Sequence, residues 1–266
     1  MITSNANPRV KLARSLLRVK GRRKHQLWLL EGIKTIEEAF KHNCKVKTLF
    51  YTNKLCADTR AEALLAKAER TGVPILEISQ KLMQELSDVQ TPQGILGMIE
   101  SPHERRDLFP LEIEEPFLLI FDRIQDPGNL GTVLRTGLAV GINGAIFLPG
   151  TVDPGNPKVI RASAGAGLSL PIEFSGKEDL IKNLRSSSIE LFATSPAEGK
   201  SVFDVNWKGK RALLVGNEGA GVEDHFYPYI DEIVKIPMPG PTESLNVSVA
   251  TAVCMYEALR QRGVRK

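Results

Sequence analysis

Three loops rich in glycine or proline hold the side chains of this sequence whose types and spacing could do chemistry. The first spans residues 122–136 and carries Asn129, Gly131 and Arg135. Gly131 and Arg135 stand four apart, so on a helix they share a face and a guanidinium projects over bare backbone. A buried arginine is rare without an anion or carboxylate, and a structural salt bridge and a contact to a substrate phosphate fit this pattern equally. The second loop is Gly216-Asn217-Glu218-Gly219-Ala220-Gly221. Its glycines permit positive φ and let a ligand lie against main chain, while Glu218 offers a carboxylate to an ammonium, a hydroxyl or Arg135. The third, residues 237–244, is stiffened by Pro237, Pro239 and Pro241 and leads into a helix that Ser244 or Asn246 can cap. Taken singly, the second loop reads as a turn and the third as a stiff connection.

Other chemistries find no support. His25, His42, His103 and His225, with Cys44, Cys56 and Cys254, show no zinc spacing, so no metal is expected. Gly-x-Ser-x-Gly is absent. Glu198-Gly199-Lys200-Ser201 imitates the end of a phosphate-binding loop, but Thr194 stands where that motif needs its first glycine. No Gly-x-Gly-x-x-Gly follows the first strand of the second half, which weighs against a nicotinamide-dependent oxidoreductase.

The elements that must position these loops can be read from apolar periodicity. Strands are predicted over residues 117–121, 145–148, 190–193, 212–215 and 233–236, with helices from 128, over 178–186 and over 246–262; Leu130, Val133, Leu134 and Leu138 are expected to face the core. Repeated β–α alternation predicts a mostly parallel sheet covered on both faces. Ahead of it, an amphipathic basic helix over 10–19 precedes strands at 26–30, 46–51, 74–78 and 94–99. Helices are expected over 32–41, up to about 70 with Asp58 as cap, and over 80–86. The chain is α/β throughout, divided into a small unit over 1–100, a linker over 101–115 with two prolines and seven charged side chains, and a larger domain over 116–266.

With 266 residues and 42% apolar content the chain can bury a full core. No run approaches the ~18 apolar residues of a membrane helix, and nothing near the start reads as a secretory signal. Three scattered cysteines argue against a disulfide framework, so a cytoplasmic protein is expected. Charge is distributed unevenly. Eight of the 35 Lys and Arg fall within residues 1–30, which hold no acid, while the other 27 are outnumbered by 31 acidic side chains. Such a basic end suits a polyanion, because each cation set on a phosphate releases condensed counterions; a solvated terminus or a transit peptide shares the composition.

Together the three loops resemble the signature motifs of the SpoU branch of the SPOUT RNA methyltransferases, also called the TrmH family. The matching residues are Asn129-Leu130-Gly131 with Arg135, Gly216-Asn217-Glu218-Gly219 with Gly221, and Ile236-Pro237-Met238 with Ser244-Leu245-Asn246-Val247-Ser248-Val249-Ala250. Thr151–Lys158 and the stretch from Arg161 to Gly167 match the loop and helix after the family's second strand, whereas Gly137 departs from a common alanine. Leu29-Leu30-Glu31-Gly32 and its surroundings are similar to the family's L30-like substrate-binding domain, which argues against a transit peptide.

The resemblance implies a SPOUT domain with a parallel sheet and a deep trefoil knot, which physical rules alone would make improbable, preceded by an L30-like α/β domain. It implies a homodimer that binds S-adenosylmethionine through Thr194, Gly216, Ile236, Ser244, Leu245 and Asn246. It implies methyl transfer to a ribose 2′-hydroxyl of RNA, with large-subunit ribosomal RNA the expected substrate and tRNA the alternative. Arg135 would be the catalytic group, as base or as phosphate clamp, positioned by Asn129, Glu218 and Asn246, with residues from two subunits contributing. Guanidinium is effectively never deprotonated in proteins, which makes the clamp the easier chemistry. Arg14, Arg18, Arg22, Arg23 and Lys24 are expected to bind RNA. An RNA-binding protein on the same scaffold without catalysis is the competing reading.

Overall fold

A computed structural model of the chain describes residues 1–57, 59–102, 108–109 and 111–263; Asp58, His103 and much of the expected linker lie outside these. The chain forms two compact units that do not follow the linear boundaries read from sequence. The first is Met1–Glu104 with Asp153–Ser169, the second Arg105–Val152 with Leu170–Lys266.

In the first unit, α1 (Pro8–Ser15) and α2 (Val19–His25) precede β1 (Leu27–Glu31), α3 (Ile33–Lys41), β2 (Val46–Tyr51), α4 (Thr59–Arg70), β3 (Ile75–Glu77), α5 (Gln80–Leu86) and β4 (Ile95–Glu100). The sheet order is β1-β4-β2-β3, with antiparallel pairs except for β2 with β3. Alternating side chains supply two cores. Trp28 and Leu30 of β1, with Ile95 and Ile99 of β4, pack on one face against α3 and α4; Leu27, Leu29, Leu96 and Met98 pack on the other with Val10, Ala13 and Leu82. The single basic helix expected over 10–19 is two. Leu16 ends the first, Arg18 starts the second in extended geometry, and Gly21 passes so close to the Ser15 carbonyl that a Cβ would lie 1.9 Å from its oxygen.

The second unit begins with β5 (Phe117–Phe121), α6 (Pro127–Val140) and β6 (Gly144–Phe147); α7 (Pro157–Ala162) then belongs to the first unit before the chain returns as β7 (Ile172–Phe174). It continues through α8 (Lys177–Ser186), β8 (Glu190–Thr194), β9 (Lys200–Ser201), β10 (Arg211–Val215), β11 (Glu232–Lys235) and α9 (Val247–Arg262). The seven strands run β7-β6-β5-β10-β8-β11-β9, and every pairing is parallel. From β5 the chain moves outward to β6 and β7, then crosses to the other side. The loops after β5 and β10 therefore flank the point where strand order reverses, the place where open parallel sheets bind ligands.

Helix α6 starts where sequence chemistry says it should, with the Asp126 carboxylate accepting from the Asn129 amide and Pro127 in the first turn, and it stops at Gly141 in left-handed geometry. Leu130, Val133 and Leu134 are buried as expected, but Leu138 is 42% exposed. It shares an outer face with Thr132 and Arg135, at spacings of three. On α9 the apolar side chains Val249 and Tyr256 are also half-exposed, at 50% and 55%. Among the described residues no helix is long and apolar enough to cross a membrane.

Candidate active site

Three of the six expected ligand residues sit at the carboxyl ends of neighbouring parallel strands: Thr194 closes β8, Gly216 follows β10 and Ile236 follows β11. With Ser244 and Leu245 they line one pocket of about 170 Å³, open at its mouth. Its lining joins the glycine-rich turn to the apolar Val234, Met238 and Leu245, the mixture that small-ligand sites use. The sixth, Asn246, stands beside the pocket and caps α9 by accepting from the Ser248 amide at 2.9 Å and its hydroxyl at 2.6 Å.

The glycine-rich turn does its work differently from expectation. Only Gly221 is left-handed, at φ 69°. Gly216 is required by clearance, since a Cβ there would lie 2.3 Å from the Gly221 carbonyl carbon and the Val222 nitrogen. Asn217 and Gly221 exchange two main-chain hydrogen bonds of 3.0 and 2.9 Å, and the Asn217 side chain accepts from Gly219 and Ala220.

The three motif loops are bonded into one line. Glu218 accepts from the Gln125 and Asp126 amides at 3.1 and 3.0 Å and from the Asn129 side chain at 3.2 Å. Asn129 in turn accepts from Asn246 at 3.0 Å. Desolvation pushes the Glu218 carboxyl upward, but these donors together outweigh it and hold its pKa below the usual carboxylate range. Glu218 is thus a charged clasp on the loop that starts α6.

Of the two readings open for Arg135, the protein salt bridge does not form. Arg135 is exposed, does not line the pocket, and has no hydrogen-bond or ion-pair partner among the described residues. Neither the buried salt bridge nor a pairing with Glu218 forms, because Glu218 is committed to the loop amides. The guanidinium is free to meet a ligand from solvent.

Of the basic residues singled out near the amino terminus, Arg18, Arg23 and Lys24 are exposed and Arg14 is half-buried, bonded to Glu85 and Asn5. Arg22 leaves the set. It is 3% exposed, pairs with Asp153 at 3.0 Å and donates to the Leu16 carbonyl at 2.8 Å, so it serves the fold of the first unit. Lys11 and Lys20, which the sequence offers only as part of the basic cluster, and His25 line a groove with Arg14, Arg18 and Lys24.

Residues 116–256 match the SpoU rRNA Methylase family. The chain belongs to the SpoU rRNA methylase family. Residues 7–97 match the MRM3-like substrate binding domain. Among relatives of this SpoU protein, the 23S rRNA (guanosine(2553)-2'-O)-methyltransferase RlmP of Bacillus subtilis is 31% identical over 96% of this chain and 97% of its own. The AdoMet-bound rRNA methyltransferase of Sinorhizobium meliloti superposes with a TM-score of 0.85 at 32% identity, covering 97% of each chain. The SpoU methyltransferase AviRb of Streptomyces viridochromogenes, also with AdoMet, gives 0.84 at 28% identity over 96% of this chain and 98% of its own. The fold is that of the SPOUT methyltransferases, and S-adenosylmethionine is the cofactor. The pocket fits it: the bare backbone at Gly216 and Gly221 admits a flat group, and Ile236, Met238 and Leu245 offer apolar contacts to a purine.

Proposed function

We propose that this SpoU protein methylates a ribose 2′-hydroxyl of ribosomal RNA, most directly of the large subunit, and does so in the cytoplasm as a homodimer. The observation that carries this reading is the hydrogen-bonded line Glu218–Asn129–Asn246 beside the S-adenosylmethionine pocket, with an unpaired Arg135 on the same helix as Asn129. Names of relatives such as RlmP support ribosomal RNA as the substrate class.

Bound S-adenosylmethionine supplies the methyl group on its sulfonium. The chain's own residues orient the acceptor. Asn129 and Asn246 offer a rigid amide pair at the pocket's edge, because each has part of its hydrogen-bonding capacity spent on a fixed neighbour. Arg135 binds a phosphate of the substrate strand, setting the neighbouring ribose in line for attack.

Leu138, Thr132, Val249 and Tyr256 form an exposed, largely apolar face on α6 and α9, with a hollow lined by Thr132, Val249 and Tyr256 among others. We assign this face to the second copy. Arg135 borders it, so in the dimer the guanidinium stands at the seam between subunits. The family's trefoil knot belongs to the same proposal and threads the segments that follow β10 and β11.

RNA is held by the groove between α1 and α2. Lys11, Arg18, Lys20 and Lys24 have no ion-pair partner among the described residues there, which suits phosphate contacts that tolerate any sequence. The deciding experiment is tritiated methyl transfer from S-adenosylmethionine to purified large-subunit rRNA, small-subunit rRNA and tRNA, followed by alkaline digestion. An alkali-resistant dinucleotide from large-subunit rRNA is expected; label confined to bases, or none in any pool, overturns the reading.

A further inference from the structure

Arg123, two residues after β5, lies in the first of the three loops but is not among the residues singled out there. Its φ is 57°, in the left-handed region where a residue with a Cβ is strained and glycine or asparagine is at home. Strain of this kind persists only where surrounding contacts over-determine it. At Arg123 those contacts converge on the cofactor loop.

The guanidinium forks onto Asp122, with both N–H···O distances 2.9 Å, and Asp122 is fully buried. The same Nη2 donates to the Gly221 carbonyl at 3.3 Å. The Arg123 main-chain carbonyl accepts from the Asn217 side chain at 2.8 Å, and its amide donates to the Thr151 hydroxyl at 3.0 Å. Asp122 also accepts from the Glu223 amide at 2.9 Å, just past the turn. One residue therefore grips both ends of the 217–221 turn, whose main chain lines the pocket, while its own side chain stays outside the lining. The left-handed backbone makes this possible, since it points carbonyl and side chain at the same turn.

We propose that Arg123 is a positioning residue for S-adenosylmethionine: it holds the Asn217–Gly221 wall of the pocket in its binding shape without touching the cofactor. This rests on the cofactor assignment above. The side chain, rather than the backbone geometry, carries the role. Glycine at this position keeps the left-handed turn without strain yet loses the fork, and lysine keeps the charge but cannot reach Asp122 and the Gly221 carbonyl together.

The test uses full-length protein and Arg123→Gly, Arg123→Lys and Arg123→Ala, with S-adenosylmethionine binding by calorimetry, melting temperature, and KM and kcat for methyl transfer. Without the charge-assisted pair of hydrogen bonds, each variant is expected to raise the Kd and KM for S-adenosylmethionine by about tenfold. Turnover at saturating cofactor should fall by less than about threefold, since the contacts are equal in ground and transition states. The Gly variant relieves the backbone strain but strands the buried Asp122, so it should melt below the wild type, and at temperatures where it is still fully folded it should bind weakly. Variants that bind as the wild type does, or a Gly variant that recovers both melting temperature and affinity, overturn the proposal. Wild-type protein that fails to bind S-adenosylmethionine overturns the cofactor reading and this inference with it.

Discussion

The side-chain amide of Asn246 donates to the Asn129 side-chain oxygen Oδ1 across 3.0 Å, tying the start of the closing helix to the first turn of α6, 117 residues earlier in the chain. Because Asn246 also caps α9, the contact fixes helix entry and pocket edge together. Asn246→Ala should therefore cost about 1 kcal/mol as a missing cap and lower the melting temperature by about 2–4 °C. It should also reduce kcat more than it weakens S-adenosylmethionine binding, which calorimetry beside single-turnover kinetics would separate.

Arg135 supports no part of the fold. Arg135→Ala should leave stability within about 0.5 kcal/mol of wild type, as surface changes usually do, and leave cofactor affinity intact while methyl transfer drops by about a hundredfold or more. Full transfer activity in this variant would sink its assigned role.

Glu218 gives a pH signature. Its folded pKa is depressed, so the stability it contributes is present above the unfolded carboxyl value, about 4.3, and is lost as pH falls through the lower folded value. Acid unfolding of wild type and Glu218→Gln should converge below that window, with wild type the more stable above it; parallel curves would mean that the carboxylate charge is irrelevant to the loop.

Arg22 and Lys24 should behave oppositely despite standing two residues apart. Arg22→Ala strands Asp153 in a buried setting and should destabilise the protein by about 3 kcal/mol, read by denaturant unfolding. Lys24→Ala should leave unfolding unchanged and reduce the slope of log affinity for RNA against log salt by about 0.7–0.9 for each phosphate that the lysine no longer neutralises.

On the exposed face of α6 and α9, Val249→Glu and Tyr256→Glu should convert a dimer to monomers, measured by light scattering during size exclusion. Wild-type protein that is already monomeric would remove that assignment.

Most of the sheet could be read directly from runs of apolar residues. The predicted strand over 117–121 and helix over 80–86 match β5 and α5 residue for residue. What stayed hidden has physical causes. Strands β7 and β9 are three and two residues long, too short to show a period. The break between α1 and α2 falls inside an apolar stripe that runs on to Leu17 and Val19. Nothing in a run of like charges marks Arg22 for burial, since its partner lies 131 positions away. Leu138 has the spacing of a core residue, and only the exposed outer face of α6 shows otherwise. At the site, composition announced Glu218 but could not reveal that backbone amides, instead of Arg135, would claim it. Arg123 carried no signal because a left-handed arginine cannot be told from any other by type.

The excursion of Asp153–Ser169 into the first unit bears on how such proteins can be taken apart and rebuilt. Ile160 and Leu168 fill the same core as Trp28 and Leu30, Asp153 neutralises Arg22, and Gly155 lies so close under the Trp28 indole that a Cβ would clash at 2.4 Å. A graft that transplants residues 1–104 onto another methyltransferase would leave behind part of its own interior. The portable piece is discontinuous, and a chimaera must carry the seventeen-residue excursion along with the amino-terminal segment.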